Sequence, residues 1–353
     1  MVDVTPLRRV LLALLCAGLA PARIAGAQEA VQLVRPGPPA AIAGGQAAAR
    51  LMRPGAVPDL PSPVTLPPVG SPSGPPSPDA DLAFGAFQRG YYETALREAM
   101  KRIDANASDG PAMTLIGVLY RDGLSVKQDP KQAAQWFQLG ADRGDRQAIF
   151  ALGLAYLQGK GVAQDRDKAQ ALFEKAAAQG HAGALYNLGV MAIDGKTPDF
   201  DKAADYFMRA TAAGDMDAAF SLAEFYKVGT GVPKDPVKAA DLLRQAADQR
   251  NVGAEVEYAI ALFNGDGVPK DEAGAAKYFL MAASRNNPIA ENRIARMLAA
   301  GRGVKPDLVE AMKWHLLARA AGIKDDWLDS KLDTLTPPQK IAVENAVRQY
   351  VGN

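Results

Sequence analysis

A glycine recurs at Gly123, Gly159, Gly195, Gly229, Gly265 and Gly301, at steps of 36, 36, 34, 36 and 36 residues. Six residues beyond each of the first two stands an aspartate, and an aspartate keeps the comb throughout: Asp129, Asp165, Asp199, Asp235, Asp271 and Asp307. Four residues further on an alanine does the same, at Ala133, Ala169, Ala203, Ala239, Ala275 and Ala311. Three combs, each with a single step of 34 that traces to the same shortened loop between Gly195 and Asp199, define six copies of a unit. That constrains the chain more than its 353 residues, which allow two or three domains or one long array. The pentapeptide GVPKD, present at 231–235 and 267–271, is therefore a fragment of a structural unit and not a site used twice.

The fourth unit shows what each copy encodes. Ala219, Leu222, Ala223 and Tyr226 lie at i, i+3, i+4 and i+7, the apolar stripe of a helix. Gly229, Gly231 and Pro233 break it, because glycine admits left-handed backbone and proline lacks a donor. Asp235 then offers a side-chain acceptor to the free amides of a new first turn, and Pro236 suits the first helical position. Ala239, Leu242, Leu243, Ala246 and Ala247 form the second stripe, which ends near Arg250, where other units carry Gly144, Gly180, Gly214 and Gly322 as left-handed caps. Helix, loop, helix at this period predicts an all-α solenoid in which each unit buries its apolar face only against its neighbours.

The segments LGLAYLQGKGVAQDRDKAQALFEKAAAQGH (Leu152 to His181) and YNLGVMAIDG (Tyr186 to Gly195) resemble Sel-one-like repeats, relatives of the tetratricopeptide repeat, over residues 110–323. The resemblance implies a right-handed α-solenoid of about six units. Two departures bear on geometry. The third unit is short by two residues, with DGKTPDFDKA in its loop, and Arg250 and Asn286 replace the terminal glycine, which predicts looser or differently angled junctions. Residues 80–109 read as an N-terminal capping helical pair. Residues 324–353 read as one C-terminal capping helix, with Thr336 as N-cap, Pro337 as first helical residue, and Ile341, Val343, Val347 and Tyr350 facing the last unit.

Residues 1–27 have the layout of a secretory signal peptide: Arg8 and Arg9, an apolar run from Val10 to Ala20, and the small-x-small site Ala25-Gly26-Ala27. The run is about half the roughly 20 residues that span a bilayer, so no stable membrane insertion is expected after cleavage. Residues 28–79 are rich in proline among Gly, Ala and Ser and read as a disordered tether. The only cysteine, Cys16, falls in the leader, so the mature chain is expected to hold no disulfide and no cysteine-ligated metal. These features point to a bacterial periplasm, with secretion to the outside as the alternative.

Catalytic signals are lacking. His181 and His315, the only histidines, are nearly four units apart, and neither a G-x-S-x-G elbow nor an H-E-x-x-H helix occurs. The G-x-G loops recur where a turn is needed and lack the following G-K-[ST] of a phosphate-binding loop, so no cofactor or metal is expected. A formal net charge of +1, from 40 Lys+Arg against 39 Asp+Glu, argues against nucleic acid as a partner.

One row stands out. Phe150, Tyr186, Phe220 and Val256 occupy matched positions on the first helices, with Leu154, Leu157, Val190, Ile193, Ile260 and Phe263 a turn further on. Glu224 and Lys227, with Arg121, Asp122, Gln158, Asp194, Asn264 and Arg296, are polar residues of the same face. In tetratricopeptide-like arrays the first helices line the concave face, so the resemblance implies a groove floor. The alternative is packing between adjacent units, since an apolar helical stripe is more often core than ligand contact. The combined expectation is an exported, non-catalytic adaptor or regulator that binds a peptide or protein partner on the concave face. The alternatives are a cell-wall or β-lactam-related binding protein or hydrolase, and an envelope scaffold acting through its proline-rich tether.

Overall fold

The computed structural model describes residues 81–194 and 197–351. The leader, the tether and the centre of the third unit's loop lie outside the described residues. Among the described residues there are sixteen α-helices and no strand. They divide into two compact units between Leu188 and Gly189.

In the N-terminal unit, α1 (Leu82–Gln88), α2 (Tyr92–Ala105), α3 (Gly110–Asp122), α4 (Pro130–Asp142), α5 (Arg146–Gln158) and α6 (Arg166–Ala178) each pack on the helix before, and α7 (Ala182–Ile193) crosses the division. The C-terminal unit continues with α8 (Phe200–Ala212), α9 (Met216–Val228), α10 (Pro236–Asp248), α11 (Val252–Asn264), α12 (Glu272–Ala283), α13 (Pro288–Ala300) and α14 (Leu308–Ala320), again packed in succession. Consecutive helix pairs without strands are the architecture of an α-solenoid of six repeats. Two further helices follow, α15 (Asp326–Asp333) and α16 (Pro337–Val351), where the sequence predicts one.

Every second helix begins at the predicted aspartate. Asp165, Asp235 and Asp307 accept from the backbone N–H of Lys168, Lys238 and Glu310, and Asp129, Asp199 and Asp271 act alike. The first helices carry a second set of caps, unnoticed in the sequence because its members differ: Asp109, Asp145, His181, Asp215, Asn251 and Asn287. Each presents an acceptor to the same amide, so chemically distinct residues do one job.

The two glycines of each G-x-G loop have different reasons. The first, such as Gly229 at φ 85°, is the left-handed C-cap of the first helix. The second approaches backbone of the preceding unit: a Cβ on Gly161, Gly231, Gly267 or Gly303 would overlap the carbonyl of Pro130, Phe200, Pro236 or Glu272. Each of those carbonyls belongs to the first residue of a second helix. In the first unit, which follows no repeat, the position is Ser125, also left-handed at φ 62°.

Within a unit the helices meet through a small residue set against a large one. A Cβ on Gly117, Gly153 or Gly189 would lie 2.5–2.7 Å from the ring of Phe137, Phe173 or Phe207. In the later units the same register holds Ala223 and Leu243, Ala259 and Phe279, and Ala295 and His315, all buried. A fully buried phenylalanine contributes about 2–3 kcal/mol of transfer free energy, so this seam is a main source of each unit's stability.

The junctions expected to be loose keep the common turn: Arg250 and Asn286 adopt φ 66° and 60°, as the glycines elsewhere do. Only the residue is unusual. At the C-terminal end Val343 is buried and Val347 and Tyr350 pack against the core, but Ile341 is 59% exposed and faces solvent, contrary to its predicted role. The Thr336 hydroxyl donates to Gln339 Oε1 at 2.8 Å, and its backbone N–H does so at 3.0 Å, so here the glutamine side chain reaches back as acceptor.

Candidate functional site

The sequence marks the first helices, and their matched positions separate into two rows with different surroundings. In the first row, each member whose contacts are resolved touches the start of the next first helix. Thr114 donates to Asp145 at 2.7 Å. Phe150 stacks on His181 with ring centroids 4.2 Å apart and lies against Gly183, and Phe220 lies against Gly253. Asn292 donates to Asp325, the cap of α15, at 2.7 Å. Tyr186, Phe220 and Val256 are buried. At Thr114, Phe150, Phe220 and Asn292 the row is thus the joint between successive repeats, and α15 occupies the place of a seventh first helix.

His181 serves that joint twice. Its Nδ1 accepts from the Ala184 N–H at 3.1 Å while Nε2–H donates to Gln147 Oε1 at 2.9 Å, which defines a neutral ring. Burial, with Arg146 nearby, lowers its pKa and favours the same state.

The second row, a turn further on, is more open. Leu154, Leu157, Val190, Ile260 and Phe263 are half-buried, whereas Ile193 is fully buried and offers nothing to a ligand. Glu224 and Lys227 interrupt the stripe in the fourth unit. Lys227 Nζ sits 2.9 Å from Glu224 and 2.6 Å from Glu257. Burial raises the Glu224 pKa, and although burial opposes charge on Lys227, the two carboxylates raise its pKa. Arg121 pairs with its neighbour Asp122 at 2.7 Å.

Within the C-terminal unit the second row deepens into a pocket of about 380 Å³. Ile260 and Phe263 of α11, Phe279 of α12 and Met297 of α13 form its apolar wall. Arg293, Arg296, Arg302 and Asn264 supply the polar rim, and Trp327 of α15 closes one side. Of these residues, Ile260, Phe263, Asn264 and Arg296 belong to the face that the sequence marks.

Ion pairs fix two of the arginines. Arg296 makes a two-pronged contact with Asp325 at 2.6 and 2.8 Å. Burial works against charge on Asp325, yet hydrogen bonds from Arg296, Asn292 and the Leu328 N–H hold its pKa at about 2. Arg302 pairs with Glu272, whose pKa the bond lowers to about 2. Both guanidiniums also lie over aromatic rings, Arg302 4.2 Å from the centre of Phe263 and Arg296 5.4 Å from that of Trp327. Trp327 itself is held because α15 is tied down: Leu328 is buried, and buried His315 donates from Nε2 to Asp329 at 2.9 Å. Among the described residues no carboxylate pairs with Arg293. No group of three or more His, Cys, Asp or Glu among them is placed to hold a metal ion, and no helix is long and apolar enough to cross a membrane.

Comparison with known proteins places this geometry. The profile described as Sel1 repeat matches residues 110–145, 146–181, 182–215, 217–251, 253–287 and 288–323. The crystal structure of a Sel1 repeat protein from Oxalobacter formigenes is similar, with 32% identity, 68% of this chain and 98% of that chain covered, and a TM-score of 0.62. A protective antigen present in uropathogenic Escherichia coli strains, displaying an SLR fold, is 24% identical over 74% of this chain and 64% of its own, with a TM-score of 0.47. No curated protein matches the chain.

Proposed function

Because the chain belongs to the Sel1 repeat family, whose members are generally protein–protein interaction modules on a typically non-catalytic scaffold, we propose that it is an exported adaptor that holds a peptide or protein segment along its first helices. The observation that carries this reading is the division of labour on those helices. The first row is consumed by joints between units, and the second keeps half-buried apolar side chains next to polar ones. Ion pairs such as Glu224 to Lys227 to Glu257 hold the polar side chains in place before any ligand arrives, so binding loses little side-chain entropy. Export to the periplasm rests on the leader at residues 1–27, with residues 28–79 as the tether between the mature N-terminus and the array.

Photo-crosslinking in cells tests the binding face. A benzophenone amino acid placed at Leu157 or Phe263 is expected to capture a partner in the periplasmic fraction, and one placed at exposed Val237 on a second helix is not. Capture from Val237 alone, or in the cytoplasm alone, would refute the reading.

A further inference from the structure

We infer that the pocket walled by α11, α12, α13 and α15 receives an apolar side chain of an internal, acidic peptide segment whose Asp or Glu pairs with Arg293. This rests on the proposed binding role of the first helices and specifies the ligand. At about 380 Å³ the pocket lies at the lower end of the roughly 300–1,000 Å³ that ligand pockets span, room for one large side chain and not for a folded domain.

Its charge is unbalanced. Three guanidiniums stand at the rim, and two are already answered by Asp325 and Glu272. Those two are also engaged with Trp327 and Phe263, whose rings they overlie, so they are committed to the structure of the pocket. Arg293 remains: it is exposed, on the same helix as Arg296 and Met297, without a carboxylate partner among the described residues. The complementary ligand therefore brings an apolar anchor and one negative charge close together. A segment running along successive first helices passes through the pocket instead of ending in it, which favours an aspartate or glutamate side chain over a terminal carboxylate.

The test is a displayed random heptapeptide library panned on the full chain. Selected peptides are then synthesised with free and amidated C-termini and titrated by fluorescence polarisation. Expected are peptides with Phe, Leu or Met within two residues of Asp or Glu, affinity unchanged by amidation, and weakening of about tenfold in Arg293→Gln, the loss of one charge-assisted bond. Because Arg293 is exposed and unpaired, that variant should melt with the wild type. A Trp327→Ala variant, with Trp327 38% exposed, gives a second route to the pocket and should weaken binding too.

Equal affinity for wild type and Arg293→Gln would overturn the inference, as would loss of binding on amidation, which assigns the charge to a chain terminus. Concentration-dependent self-association abolished by Arg293→Gln would overturn it in favour of a second copy. Peptides without acidic bias that lose binding in Leu157→Asp would sink the pocket assignment and leave the first-helix reading standing. Enrichment of nothing, or peptides indifferent to every first-helix substitution, would sink both.

Discussion

At the scale of single residues, backbone conformation and close approach decide more than side-chain chemistry. Gly267 and Gly180 share a left-handed φ, 72° and 76°, but only Gly267 has a carbonyl where a Cβ would sit. Gly180→Ala is expected to cost about 1 kcal/mol, and Gly267→Ala about 2–4 kcal/mol, because overlap adds to the conformational penalty. Urea unfolding of the two variants separates the effects. Arg250 has the opposite character, a residue with a Cβ held at φ 66° beside Arg285, which donates to the Arg250 carbonyl at 2.5 Å. Arg250→Gly is expected to stabilise by about 1 kcal/mol, seen as a higher urea midpoint. Glu291 stands, as buried Glu255 does one unit earlier, where the first four units have Met113, Ile149, Leu185 and Ala219, and burial raises the Glu291 pKa to about 7. An acid with a raised folded pKa favours the fold fully below its unfolded value of about 4.5 and loses that contribution as pH rises through about 7, here on the order of 1–3 kcal/mol. Glu291→Gln should flatten the fall in melting temperature between those pH values; a fall of unchanged size would assign it elsewhere. The glycines and aspartates of the combs were legible because each role admits few residue types. The second set of caps was not, since Asp, His and Asn all supply an acceptor and share no letter.

Among elements, the helix pair repeats one contact with variations. Gly153 against Phe173 and Gly189 against Phe207 put the small residue on the first helix and the ring on the second, and this follows from sequence once the period is known. The joint between units was harder to read. Phe150 and Phe220 look alike whether they floor a groove or lock a neighbour, and only the positions of Gly183 and Gly253 distinguish the two. A cap lost at a joint or within a pair should cost similarly: Asp235→Ala and Asp215→Ala are each expected to lose about 1 kcal/mol. Thermal melts followed by circular dichroism check this, and a neutral Asp215→Ala would deny the second set of caps a role.

For the whole molecule, the family and the all-α repeat architecture were visible in the combs, while the pocket was not. Its walls come from α11, α12, α13 and α15, and α15 was hidden within a segment predicted to be a single capping helix. What positions α15 is a set of substitutions in the last unit, with Asn292 in the row of Phe150 and His315 in the row of Phe173, both reaching aspartates beyond the repeats. Polar replacements in an apolar register mark where the array stops repeating and begins to close. The central claim is that the first row holds the units together and the second row is available to a ligand. Equilibrium unfolding in urea of Phe220→Ala and Phe263→Ala tests it most directly. Phe220→Ala is expected to lose about 3–5 kcal/mol, the usual cost of emptying a buried phenylalanine site, and Phe263→Ala less than half of that. Equal losses, or the reverse order, would contradict the division between joint and binding face.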